Sequence, residues 1–360
     1  MRHRVETDFP IFEMPVPTVE GSGSIHWGQL YGSAQGLAVS DVLAKHHGSV
    51  CVITASAAAA DRLERELNFF APENGARRFS DYETLPYDAF SPPQDLLAER
   101  LSSLYHLAIG AREILIVNAQ ALLTRLPPAE FVSARSMVLQ VGERLDGQAL
   151  RVRLVNHGYL HVEQVLDPGD FAVRGSLIDI YPTGADDPVR IDLFDEEIEN
   201  LRLFDPHTQL STKEVRSIRI LPAREFPFDD TAIRGFRERF RDHVPGEPGR
   251  SAVYRDISEA QLPAGIEYYL PLFFDSTASL LDYFSPDTLV VLTEGALAGL
   301  ESGWSLIQER YEQLSGDIER PILTPEMAFW TPKNLRAGIR QFPRLELTSH
   351  ELEVVDDTRF

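Results

Sequence analysis

The chain has 360 residues, 43% hydrophobic and 25% charged, a globular composition long enough for about two or three domains. Its formal net charge of −21 excludes a chain whose main task is gripping phosphate backbones, because such binding runs on clustered Lys and Arg that release counterions. The single cysteine, Cys51, lies in an apolar run and can form no disulfide within the chain, so the expectation is a core thiol in a reducing cytoplasm. No signal-peptide pattern and no apolar run of membrane-spanning length occurs, so no membrane partner is expected.

Residues 1–28 carry Pro10, Pro15, Pro17 and a small-residue break at 21–24, the pattern of an arm packed on another part of the chain. Over 29–128 the apolar runs Val50–Thr54 and 114–117 alternate with helical spacing at Ala57–Phe70 and at Leu97, Leu101, Leu104, Tyr105 and Ala108. Short, wholly apolar strands alternating with helices predict an α/β domain of parallel βαβ units. Residues 129–222 are richer in strands: 136–141, then the runs 171–181, Val189–Phe194 and 198–204, bounded by Pro/Gly/Asp clusters that predict an antiparallel meander. Asp146 is placed to cap a helix carrying Leu150, Leu154 and Val155, so this segment reads as a small α+β domain. Alternation along Val189–Phe194 puts Val189, Ile191 and Leu193 on the core face and Arg190, Asp192 and Phe194 on the other. Beyond Pro222 a helix is predicted over 230–242 on Ile233, Phe236 and Phe240, a strand at Leu289–Leu292, and a helix near 294–313. With the arm 1–28, residues 223–345 read as a further mixed lobe, and the polar end 346–360 as a linker.

Residues 30–39 form a small-residue loop entering a helix, as a phosphate-binding loop does. Such a loop needs a Lys for the β/γ-phosphates and a Ser/Thr for Mg²⁺, and here Leu37 and Ala38 follow Gly36. Gly32, Gly36, Leu37 and Ala38 therefore make a degenerate nucleotide loop, and no cofactor is expected in this chain. The adjacent acids Asp186-Asp187 and Asp195-Glu196-Glu197 read as solvated turn formers, and no histidine has metal-ligand spacing. No nucleophile motif occurs, so no catalytic residue and no metal ligand is named, and enzymatic activity is not expected. Arg234, Arg237, Arg239 and Arg241, interrupted by Glu238 and Asp242, read as a solvated helix face. Arg174 precedes Gly175 at a strand bend, and Arg190 shares its strand face with Asp192. Two readings are open for this set: a surface salt bridge worth at most ~1 kcal/mol, or interface anchors on a firm sheet beside Phe171.

Four separate runs in order, 81–92 (DYETLPYDAFSP), 173–182 (VRGSLIDIYP), 193–199 (LFDEEIE) and 262–269 (LPAGIEYY), resemble the N-terminal UvrB-homology module of the bacterial transcription-repair coupling factors, the Mfd family. The resemblance extends over essentially the whole chain, and parts of 174–182 and 194–205 also resemble the excision-repair protein UvrB. It implies a degenerate helicase-like (P-loop-type) parallel-sheet domain at 29–128, an inserted small α+β domain at 129–222 that binds the repair protein UvrA, and the mixed lobe. The tyrosine-rich hairpin with which UvrB holds damaged DNA is missing, since 90–97 passes quickly to a helix. The family's UvrA-contacting positions fall on Arg174, Arg190 and Asp192, with Phe171 just before them, while His161 and Ala172 stand where UvrB-like sequences carry Arg. The function implied by the resemblance is that of a non-catalytic module that recruits UvrA to stalled RNA polymerase. ATP, Mg²⁺, RNA polymerase and DNA would be engaged by a motor and further domains beyond Phe360. The alternatives are a UvrB-like, nucleotide-dependent protein that binds damaged DNA, and a clamp that covers the family's own UvrA site.

Overall fold

A computed structural model describes residues 16–17 and 24–351 of the chain. In chain order β1 (Ser24–Trp27), α1 (Ala34–Lys45), β2 (Val50–Thr54), α2 (Ala57–Phe70), β3 (Arg77–Phe79), α3 (Gln94–Ala108) and β4 (Ile114–Asn118) lead to the short helices α4 (Ala119–Leu123) and α5 (Ala129–Ala134). Next come β5 (Met137–Gln140), α6 (Gly147–Asn156), β6 (Leu160–His161), β7 (Asp170–Arg174), β8 (Leu177–Ile180), β9 (Val189–Phe194), β10 (Glu197–Phe204), β11 (Ser211–Val215) and β12 (Ser217–Ile220). The remainder holds α7 (Asp230–His243), α8 (Ala252–Ser258), β13 (Leu289–Leu292), α9 (Ala296–Leu314), α10 (Pro325–Ala328), α11 (Pro332–Ile339) and β14 (Arg344–Leu347).

The first sheet runs β1-β14-β13-β2-β4-β3, every pair parallel. Its central strands β2, β4 and β13 are buried at every residue, as wholly apolar strands of a parallel sheet must be when both faces are covered. The helices that follow two of them start on polar caps: Ser56 Oγ accepts from Ala59 N, and Asn118 Oδ1 from Ala121 N. Cys51 lies in β2 at zero exposure, and burial pushes its thiol pKa far up.

Here the structure differs from the lobe expected over 1–28 and 223–345. Strands β1, β13 and β14 are members of the first sheet, with β13 lying between β14 and β2. A four-residue apolar run announces burial but not which strand will lie beside it. The expected linker also begins too early, because Glu346 and Leu347 end β14 and Leu347 is buried. The rest of that linker, 352–360, and most of the arm 1–28 lie outside the described residues; Val16 packs on the core around Trp27.

The second sheet runs β11-β10-β9-β8-β7-β6, antiparallel except for β6–β7, and β5 pairs separately with β12. One expected run, 171–181, is in fact two strands, β7 and β8, joined at Gly175, whose φ of 64° suits a tight hairpin. The next hairpin turns at Asp195 and Glu196, both left-handed with φ 46° and 64°, as a two-residue turn matched to strand twist requires. Asp146 caps α6 by accepting from Gln148 N and Ala149 N. Leu150 and Leu154 of that helix enter the core with Ile178, Ile191 and Leu201, whereas Val155, expected with them, faces solvent.

A buried ion pair ties α3 to the segment leaving β12. Arg100 donates to Glu225 from Nε at 2.7 Å and to the Ser80 carbonyl at 2.6 Å, between the Phe79 and Tyr82 rings, while Tyr82 Oη donates to Glu225 at 2.6 Å. Both charges are satisfied, the condition under which a buried pair is tolerated.

Candidate functional site

The second sheet has one core face and one outward face, and its register places every candidate residue. Phe171, Ile180, Val189 and Leu203 are successive cross-strand partners on the core face. The next row outward is Ala172, Asp179, Arg190, Arg202 and Glu214; beside it run Arg174, Leu177, Asp192 and Asn200; then come Phe194 and Glu197 at the hairpin. Sequence alternation along β9 put Arg190, Asp192 and Phe194 on this face, and there they are.

Charge on the face is paired within the sheet. Arg190 grips Asp179 in a two-point contact, Nε to Oδ1 at 2.7 Å and Nη2 to Oδ2 at 2.9 Å, and its guanidinium lies 4.9 Å from the Phe204 ring. The hydrogen bond to Asp179 holds the guanidinium above its ordinary pKa, and the side chain is 17% exposed. Asp192 does not orient Arg190, as the shared strand face suggests; it pairs with Arg202 on β10. Residues two apart on one strand face point the same way, but their partners lie on the neighbouring strands, directly across for Arg190–Asp179 and on the diagonal for Asp192–Arg202. Neither Asp179 nor Arg202 was among the sequence candidates, since strand register is not readable from spacing.

Half of this face is covered. Val165, Ala172 and Phe204 make a small buried cluster under the segment that follows β6. That segment is pinned by Gln209 Nε2 donating to the Val165 carbonyl at 3.1 Å and by Arg174 Nη2 donating to the Glu163 carbonyl at 2.6 Å. The other half is open: the Arg174 side chain is 49% exposed and Phe194 is 68% exposed. An exposed phenylalanine at the end of a hairpin is the kind of side chain that protein interfaces bury.

Phe171 is a correction. It has zero exposure, lies in the core with Ile178 and Ile191, and stacks its ring 4.9 Å from His161, so it cannot touch a partner itself. Phe171 and Arg174 are three apart on one strand and so occupy opposite faces, a signal the alternation already contained. His161 is exposed on the edge strand β6.

At the degenerate nucleotide loop Gly32 takes φ 57° before α1, while Gly36 and Ala38 are buried inside its first turns. A Cβ at Gly36 would lie 2.4 Å from Glu66 Oε2. Glu66, held by Arg62 at 2.8 Å, thus lays a carboxylate against the first turn of α1. The first turn of α1 thus has a carboxylate beside Gly36 and no basic side chain of its own. Among the described residues no group of three or more His, Cys, Asp or Glu is placed to hold a metal, and no helix is long and apolar enough to cross a membrane.

A helicase-like parallel sheet with a separate antiparallel sheet presenting one open, arginine- and aromatic-bearing face defines the class: a core domain carrying an interaction module. Comparison with known proteins agrees, for residues 137–226 match the family described as the UvrB interaction domain. Over 90% of its length the chain is 38% identical to the transcription-repair-coupling factor of Escherichia coli (strain K12), and over 95% it is 36% identical to that of Haemophilus influenzae. The Myxococcus xanthus protein of the same name is 32% identical over 87% of the chain. The chain spans 28%, 30% and 28% of the lengths of these relatives. It is homologous to transcription-repair-coupling factors and contains a UvrB interaction domain.

Proposed function

We propose that this chain is a non-catalytic docking module that binds UvrA and so brings nucleotide excision repair to stalled RNA polymerase in the cytoplasm. The open half of the outward face, with Phe194 exposed and Arg174 half-exposed at neighbouring hairpins, is the observation that supports the reading. In this reading Arg174 gives charge-assisted hydrogen bonds to a UvrA carboxylate, and Phe194 enters an apolar pocket on UvrA. Arg190 keeps Asp179 neutralised, so that the partner meets no unpaired carboxylate on the sheet, and the Asp192–Arg202 pair forms the polar rim. His161 lies at the edge of the same module and contributes by supporting the strand order around Phe171.

The chain is proposed to turn over no nucleotide, because Leu37 stands where a lysine is needed and Glu66 lays a carboxylate beside Gly36 in the first turn of α1. ATP, Mg²⁺, DNA and RNA polymerase are assigned in this proposal to parts of the longer relatives outside the matched span. Calorimetric titration of UvrA into the chain tests the docking: Arg174→Ala with Phe194→Ala is expected to weaken binding by about 2–4 kcal/mol. Saturable ATP binding by the chain would contradict the nucleotide half of the reading.

A further inference from the structure

Remote from the docking face, α7 and the segment after α4 enclose a groove that the proposed function does not use. Arg125 donates from Nη1 to Thr277 Oγ1 at 2.9 Å and from Nη2 to the Glu326 carbonyl at 2.7 Å, and its guanidinium lies 4.2 Å from the Trp330 ring. Among the described residues no carboxylate reaches it, and its buried Nε has no hydrogen-bond partner. Burial alone pulls the guanidinium pKa below its ordinary value. A cation half out of water with no counter-charge is costly, and an arriving carboxylate would remove that cost.

The opposite wall is α7. Arg239, expected on a solvated face, is only 26% exposed, donates to the Leu272 carbonyl at 3.2 Å and pairs with Asp275, whose own side chain is 96% exposed. The hollow at Arg125, about 450 Å³, shares Arg239, Phe274 and Asp275 with a second of about 570 Å³ lined by Arg135, Asp229, Arg234 and Glu238. The two hollows thus meet at Arg239, Phe274 and Asp275, and charges of both signs line them, with Phe274 and Trp330 in the lining of the one at Arg125.

We propose that this groove docks an extended segment of a partner protein that sets an acidic side chain on Arg125 and an apolar one against Trp330 and Phe274. Charge complementarity favours a polypeptide. A nucleic-acid strand would bring uniform phosphates against Asp229, Asp275 and Glu238 in a chain of net charge −21, whereas a peptide can match alternating signs. A small anion would fill only the hollow at Arg125 and leave the second one empty.

The test uses fluorescence anisotropy of labelled peptides on the intact chain: a decapeptide alternating leucine and serine with a central glutamate, its central-glutamine counterpart, and labelled oligothymidylate. The glutamate peptide is expected to saturate roughly tenfold more tightly than the glutamine one, and Arg125→Gln to erase that difference while circular dichroism stays native. Asp275→Asn, which frees Arg239 for the ligand, is expected to tighten the glutamate peptide roughly threefold, a gain that misfolding cannot mimic. Equal affinity of the two peptides, no saturation by either, a difference that survives Arg125→Gln, or preferential saturation by oligothymidylate would each overturn the proposal.

Discussion

The two six-stranded sheets use the same residue types to opposite ends. In the parallel sheet β2, β4 and β13 are buried on both faces, so every side chain is committed to packing. In the antiparallel sheet β9 alternates, with Ile191 in the core and Phe194 in water. Arginine shows the same contrast. Arg100, at about 1% side-chain exposure between Glu225 and two aromatic rings, is a structural charge, whereas Arg174, though it donates to the Glu163 carbonyl, keeps 49% of its side chain open to a partner. What a residue does here is decided by what packs around it, not by its chemistry alone.

The largest effect expected from breaking this contrast is at Arg100. Arg100→Ala leaves Glu225 buried without its partner and should cost about 3–5 kcal/mol of folding stability by denaturant titration. Replacing both partners with apolar residues of similar volume, Arg100→Met with Glu225→Leu, should recover most of that loss. On the second sheet, Phe171→Leu, a large-to-small change in the core, should cost about 1–3 kcal/mol and leave UvrA affinity unchanged, because the side chain faces the core. A change in UvrA affinity without a change in melting would return Phe171 to the interface.

A pH effect is expected at His157, whose imidazole is lowered to about 4 by burial first, then by Arg135 and Arg153, from an ordinary 6.5. Because the unfolded chain takes up this proton at a higher pH than the folded one, stability rises with pH. The contribution is complete above pH 6.5, falls away as the pH drops towards 4, and is flat below. After allowance for its partial exposure the loss should be about 1–2 kcal/mol, seen as a slope in stability that His157→Asn removes. The smallest expected effect is a gain: Glu196→Gly relieves a left-handed turn residue and should stabilise the chain by about 0.5–1 kcal/mol, read as a raised melting temperature with UvrA binding retained.

Much of this was legible in the residues. Apolar runs located β2 and β13, Asp146 announced its helix, and alternation assigned both faces of β9. What stayed hidden was non-local. Leu289–Leu292 could not say that it lies between β2 and β14, and Arg190 could not say that Asp179, eleven residues earlier, is its partner. Two of the runs that carried the family resemblance proved to be architecture. Gly265 N donates to Ser91 Oγ at 3.0 Å, Tyr268 Oη donates to the Leu85 carbonyl at 2.8 Å, and a Cβ at Gly265 would meet the Asp88 carbonyl at 2.4 Å. Those motifs hold 81–92 against 262–269. The docking face was recognisable as a set of residues, yet its open half, with Phe194 as its apolar anchor, needed the register.

The most direct measurement is a calorimetric titration of UvrA against the intact chain and its Arg174→Ala/Phe194→Ala variant, with thermal melting of both. The account expects affinity to fall by about 2–4 kcal/mol while the melting temperature holds. Equal affinity of variant and parent would contradict it.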